Sequence, residues 1–146
     1  MFGTVGCGMR RAENLRVVEV AMQVAELTYS ATRAFPADER FGLISQMRRA
    51  AVSIGSNISE GCGRSSETQL AHFIQMATGS ASELEYQARL SERLGFGDAL
   101  ELASLRALIQ SERRMLAKLV ERIRSTPPFP KSEAAKPPMR AEQQGA

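Results

Sequence analysis

Four stretches of this chain place apolar residues three and four positions apart, and a proline or a glycine cluster ends each of the first three. That spacing marks a helix with one buried stripe and leaves little room for a strand, whose period is two. The clearest stretch carries Leu102, Leu105, Ile109, Leu116, Leu119 and Ile123, with Glu112 as the one exception on the seam. A second carries Ile44, Met47, Ala51, Ile54 and Ile58, a spacing of the coiled-coil type.

The breaks between stretches locate the loops. Helix one is expected from Glu13 to about Phe35, with Leu15, Val18, Met22, Ala25 and Tyr29 on its stripe, widened by Val17, Ala21, Val24 and Thr28. Phe35-Pro36 ends it, because proline disfavours the α conformation in the residue before it. Helix two follows from about Asp38 to Glu60, with first-turn acids at Asp38 and Glu39 and a weak point or bend at Gly55. Ser66 with Gln69 fits a capping box for helix three, whose stripe reads Leu70, Phe73, Ala77, Ser80, Leu84, Gln87, Ser91 and Leu94. Gly95-Phe96-Gly97 closes it, and Asp98 is a good N-cap for helix four.

Four amphipathic helices with short connections predict an all-α, antiparallel, up-and-down four-helix bundle. Residues 1–12 are Gly-rich and read as a flexible N-terminus, 13–124 as the bundle, and 125–146 as a disordered Pro-rich tail. With no Trp and 5% aromatics the core is aliphatic, which argues against a ring-stacking platform for single-stranded nucleic acid.

Few chemistries fit the remaining residues. Cys7 and Cys62 have no CxxC spacing, and the single histidine, His72, has no nucleophile that periodicity would set against it. Gly61-Cys62-Gly63-Arg64 lacks the strand-to-helix context and the lysine of a phosphate loop. Glu83 and Glu85 point to different helix faces and cannot work as an acid–base pair. No catalytic residue, metal site or cofactor is therefore expected. The N-terminus lacks the apolar core of a signal peptide and no run is long enough to span a bilayer, so the expected setting is the reducing cytoplasm.

Two surfaces are candidates for binding. On helix two Gln46, Arg49, Ser53, Asn57 and Glu60 share a polar face interleaved with Ala50, Gly55, Ser56 and Ser59, which suits a close-packed contact between protein chains. On helix four Arg106, Arg113 and Arg124 share a broad sector, and Arg114, Lys118 and Arg122 form an i, i+4, i+8 row. With a net charge of +3, these six cations are the candidate contact to a phosphate backbone.

The run from Phe35 to Arg64 resembles the hallmark FPxxExxGLxxQxRRAxxSIPSNIAEGxGR of the 23S rRNA intervening-sequence proteins. Gly79-Ser80 with Glu83-Leu84-Glu85, and Leu15-Arg16-Val17, fit the same family, and the resemblance covers about residues 13–124. It departs at Val18, where the family usually has Trp, at Gly55, where it has Pro, and at Ser59, where it has Ala. The resemblance implies a bundle that assembles as a ring-like homopentamer. More distantly, the chain is similar to the accessory variability determinant of diversity-generating retroelements, a basic pentamer that binds nucleic acid and a reverse transcriptase. The expected function is thus a homo-oligomeric binding protein for RNA or DNA, the alternative being a protein–protein scaffold or reverse-transcriptase accessory subunit.

Overall fold

A computed structural model describes the backbone over residues 7–125 and side chains from residue 13. Four helices, α1 (Cys7–Thr32), α2 (Leu43–Cys62), α3 (Glu67–Leu94) and α4 (Ala99–Ser125), follow one another, with a single 3-10 turn (Ala37–Glu39) between the first two. Each packs on its sequence neighbours and α1 closes on α4, whereas the diagonal pairs α1–α3 and α2–α4 do not touch. Cross-helix contacts run antiparallel: Ser30 on α1 bonds Glu101 near the start of α4, and Glu13 pairs with Arg122 near its end. This is the up-and-down bundle the periodicity implies.

The caps explain most helix ends. The Ser66 hydroxyl accepts from the Gln69 amide at 3.1 Å, which is the first half of the expected capping box. Asp98 accepts from Glu101 N at 2.8 Å and opens α4. Gly95 closes α3 in the left-handed conformation, φ 74°. Helix two opens later than expected, at Leu43, because non-helical backbone at Gly42 (φ −103°, ψ −117°) separates it from the 3-10 turn. Glu39 keeps a capping role, its carboxylate accepting from Leu43 N at 2.9 Å. Helix one begins at Cys7, inside the stretch read as irregular, since only Gly8 in Cys7–Ala12 opposes a helix. Helix four takes in Ser125; the expectations for 1–6 and 126–146 lie outside the described residues.

The core confirms one stripe in full and corrects another. All seven α4 seam positions are buried, Glu112 included. On α2, Met47, Ala51, Ile54 and Ile58 are buried and Ile44 is half-buried. On α3 the core residues are Leu70, Ile74, Ala77, Ala81, Leu84, Gln87, Ala88 and Ser91; Phe73 and Ser80 are half-buried and Leu94 is exposed. On α1 only one edge of the expected stripe is core. Val17, Ala21, Val24 and Thr28 are buried together with Ala31, Val18 and Ala25 are half-buried, and Leu15 (63%), Met22 (56%) and Tyr29 (42%) face outward.

Gly55 lies against the buried Ala21, where an added Cβ would make ordinary contact 3.6 Å from the Ala21 Cβ. Helix α2 runs through Gly55 without interruption. The buried Thr28 and Thr32 hydroxyls donate to the Val24 and Thr28 carbonyls at 2.7 and 2.8 Å and so are satisfied within the helix.

Gly61 and Gly79 make opposite predictions. A Cβ at Gly61 would come within 2.8 Å of the Phe73 Cβ, whereas one at Gly79 meets nothing within 4 Å. Denaturant unfolding of Gly61→Ala is expected to show a loss of about 1–3 kcal/mol. Gly79→Ala is expected to stabilise the isolated bundle by about 1 kcal/mol. A Gly61→Ala chain as stable as the parent would refute the crossing described here.

Candidate functional site

Of the six candidate cations on α4, three are ion-paired within the bundle, two of them to α3. Arg106 pairs with Glu92 at 2.9 Å and Arg113 with Glu85 at 2.5 Å, both acids on α3 and both pairs partly buried. Glu85 also accepts from the Gln110 amide at 3.2 Å; that bond first, and the Arg113 guanidinium second, hold its carboxyl below the usual range. These pairs tie α3 to α4.

Arg122 pairs with Glu13 on α1, so it too has a partner, but on the other edge of the helix. There α1 and α4 form a groove with an apolar floor of Val17, Met115 and Leu119, rimmed by Arg16, Lys118 and Arg122 and by the Glu13 carboxylate. Arg114 stands one turn before Lys118 on the same row; both are exposed and make no ion pair among the described residues. Arg124 is also exposed, but it borders the α3 side with Gln75 and Thr78. The six residues thus divide into a spent pair, a row facing α1, and Arg124 by itself. Arg16 joins the row from a different helix. Spacing within α4 could not reveal it, although the adjacency of first and last helices in an up-and-down bundle points to that edge.

The polar face of α2 divides as well. Ser53 shares a hydrogen bond with Ser80 on α3 at 3.0 Å, and the Asn57 amide donates to the Ser53 carbonyl and hydroxyl at 2.9 and 3.1 Å. Glu60 pairs with Arg64 at 2.5 Å, one turn on. Only Gln46 and Arg49 remain as exposed groups without such bonds among the described residues. Arg48, on the opposite flank, donates to the Thr32 hydroxyl at 2.9 Å and lies over the Tyr29 ring, 4.6 Å from its centroid.

No group of three or more His, Cys, Asp and Glu side chains is arranged to hold a metal among the described residues. The free Cys62 thiol is pushed up by partial burial, the opposite of an activated nucleophile. His72 packs edge-on against Phe73, ring centroids 5.8 Å apart, near the start of α3. No described helix is long and apolar enough to cross a membrane.

Glu112 is the group that periodicity singled out without explaining. Its side chain is wholly buried on the α4 seam, and neither carboxyl oxygen has a hydrogen-bond partner. Burial pushes its pKa up to about 8, so at neutral pH it is held as the neutral acid. Between the ordinary value of 4.5 and about 8, the unfolded chain has lost this proton and the folded chain retains it. Stability is therefore fully present below that window and falls as pH rises through it. Thermal melts of the parent and Glu112→Leu across this range should diverge with rising pH, the variant melting higher and lacking this component of the fall. Parallel pH profiles would show that Glu112 is not the source.

Comparison with known proteins matches this architecture to one family. Residues 13–118 match the family model described as 23S rRNA-intervening sequence protein, and the chain belongs to that family. A similar solved structure is a protein of unknown function from the S23 ribosomal protein family of Bacteroides thetaiotaomicron VPI-5482. It is 19% identical, with a TM-score of 0.68, over 75% of this chain and 98% of the other. At that identity the likeness speaks for the fold alone. No curated protein matches the sequence.

Proposed function

We propose that this 23S rRNA-intervening sequence protein is a non-enzymatic, homo-oligomeric binding protein that contacts RNA or DNA through the basic edge where α4 meets α1. The observation that carries this reading is the row Arg114 and Lys118, exposed and unspent within the bundle, continued by Arg122 and widened by Arg16 on the neighbouring helix. Cations on rigid helices, spaced one turn apart, suit a phosphate backbone, which sets register without reading sequence. Arg106 and Arg113 drop out of the interface, because moving either from its carboxylate would leave a partly buried acid unpaired. The reading takes the assembly to be the pentamer that the family resemblance implies, working in a reducing cytoplasm where Cys62 stays a thiol.

Electrophoretic shifts with RNA and DNA across a salt series test the interface. The double variant Arg114→Glu, Lys118→Glu is expected to bind at least tenfold more weakly. Its log K against log[salt] slope should be shallower by roughly two, about one unit for each phosphate no longer neutralised. Arg106→Gln should instead lower stability with little change in that slope. Parent-like binding by the double variant would reject the α1–α4 edge as the nucleic-acid interface.

A second reading is a protein–protein scaffold or accessory subunit, for instance a reverse-transcriptase partner in a retroelement. The exposure of Met22 and Tyr86, large apolar side chains on the outer faces of α1 and α3, favours it. A protein partner that stays bound to the immobilised chain after nuclease treatment would support this reading over the first.

A further inference from the structure

Two helices carry an outward row that the bundle leaves largely uncovered. On α1 it is apolar, with Arg48 lying over the Tyr29 ring, and on α3 it is mixed, with Met76, Tyr86 and Leu90 beside Gly79 and Glu83. The α1 row is Leu15, Val18, Met22, Ala25 and Tyr29, stepping 3-4-3-4, the period at which one helix lies along another. Val18 and Ala25 are half-buried at its inner edge, and Leu15, Met22 and Tyr29 project outward. On α3 the positions Met76, Gly79, Glu83, Tyr86 and Leu90 keep the same step, with Tyr86 68% exposed. Gly79 belongs here too. An interior helical glycine costs about 1 kcal/mol relative to alanine, and nothing in the bundle comes near enough to require it. A backbone approaching from outside would.

The charges beside the two stripes are opposite. Glu19 and Glu26 flank the α1 stripe, and Arg33 follows in the turn beyond the helix. Arg89 and Arg93 flank Tyr86 and Leu90 on α3, while Glu83, the acid on that stripe, accepts from the Gln87 amide at 3.3 Å. Glu19, Glu26, Arg89 and Arg93 are all exposed and make no ion pair among the described residues. Pairing α1 with α1 of another copy would set Glu19 and Glu26 against themselves, and pairing α3 with α3 would oppose Arg89 and Arg93. Only α1 against α3 brings unlike charges together. The two helices are diagonal in the bundle and do not touch, so the contact cannot form within one chain.

We propose that the outer stripe of α1 docks on the outer stripe of α3 of a second copy of this chain, head to tail. This inference rests on the homo-oligomeric part of the reading above and deepens it by moving the self-contact away from the polar face of α2. Each added copy presents one unused α1 face and one unused α3 face, so the contact is heterologous and propagates past a dimer. The α1–α4 basic edge stays outside the contact and accessible.

Light scattering coupled to gel filtration, on the full chain at low ionic strength, tests the pairing. The parent is expected to have a mass above that of two 16.0 kDa chains. Glu19→Arg with Glu26→Arg, and separately Arg89→Glu with Arg93→Glu, should each reduce it to the single-chain mass while circular dichroism shows the helices intact. Mixing the two double variants should restore association above the single-chain mass, because each then meets a face of opposite charge. A five-membered ring cannot alternate two variants throughout, so the mixed species need not have the parent's mass. Arg49→Glu, on the polar face of α2, should leave the mass unchanged. A parent of single-chain mass would overturn both the pairing and the oligomeric reading. A parent that is a dimer, an assembly that both double variants leave intact, or a dissociation that mixing fails to repair would overturn the pairing alone.

Discussion

The close approach of α2 to its neighbours is the contact on which the rest of the bundle depends. Gly55 meets Ala21 on one side, and Gly61 meets Phe73 and Leu70 on the other. Ala50, Ala51, Ala77 and Ala81 are buried as well. Interiors pack to crystal-like density, and small side chains let the helices come close. Helix α1 likewise buries its small residues and leaves Leu15, Met22 and Tyr29 on the surface.

Charge is allotted by the same geometry. The acids of α3 stand opposite the arginines of α4, so Glu85 and Glu92 bind Arg113 and Arg106 and fix the register of that pair. Such pairs are partly buried, and breaking one strands a charge, which makes them fasteners and poor ligand sites. What remains outside the bundle's own network is a narrower basic edge than a count of cations suggests. Glu112 is the counter-case: a carboxyl with no hydrogen-bond partner among the described residues, kept neutral by burial, that lowers stability as pH rises from 4.5 to about 8. No arrangement of the described residues explains why an acid occupies that seam position.

Family membership and the uncovered stripes bear on different questions. The family match accounts for the chain's architecture over 13–118 and carries no chemistry of its own. The stripes on α1 and α3, with opposite charges beside them, are features of this chain's surface. They are the surface on which the proposed self-contact rests.

Periodicity with its breakers and caps determined that four helices form, which segments connect them, and which stripe of α4 is buried, but not every helix bound. Breakers and caps such as Phe35-Pro36, Ser66 and Asp98 act locally, and α4 offers only one continuous apolar stripe, so no other choice competes. On α1 the larger Leu15, Met22 and Tyr29 and the smaller Val17, Ala21 and Val24 belong to one wide stripe, and the local pattern does not say which edge is covered. Only the tertiary structure decides it: the neighbouring helices bury the smaller edge and leave the larger one outward. The same holds for the cations. Spacing placed Arg106, Arg113, Arg114, Lys118, Arg122 and Arg124 on α4, but which are spent depends on the antiparallel register that brings Glu85, Glu92 and Glu13 beside three of them. Long-range pairing is invisible to a pattern that reads a few residues at a time, and in this protein it separates what holds the bundle together from what is left to bind.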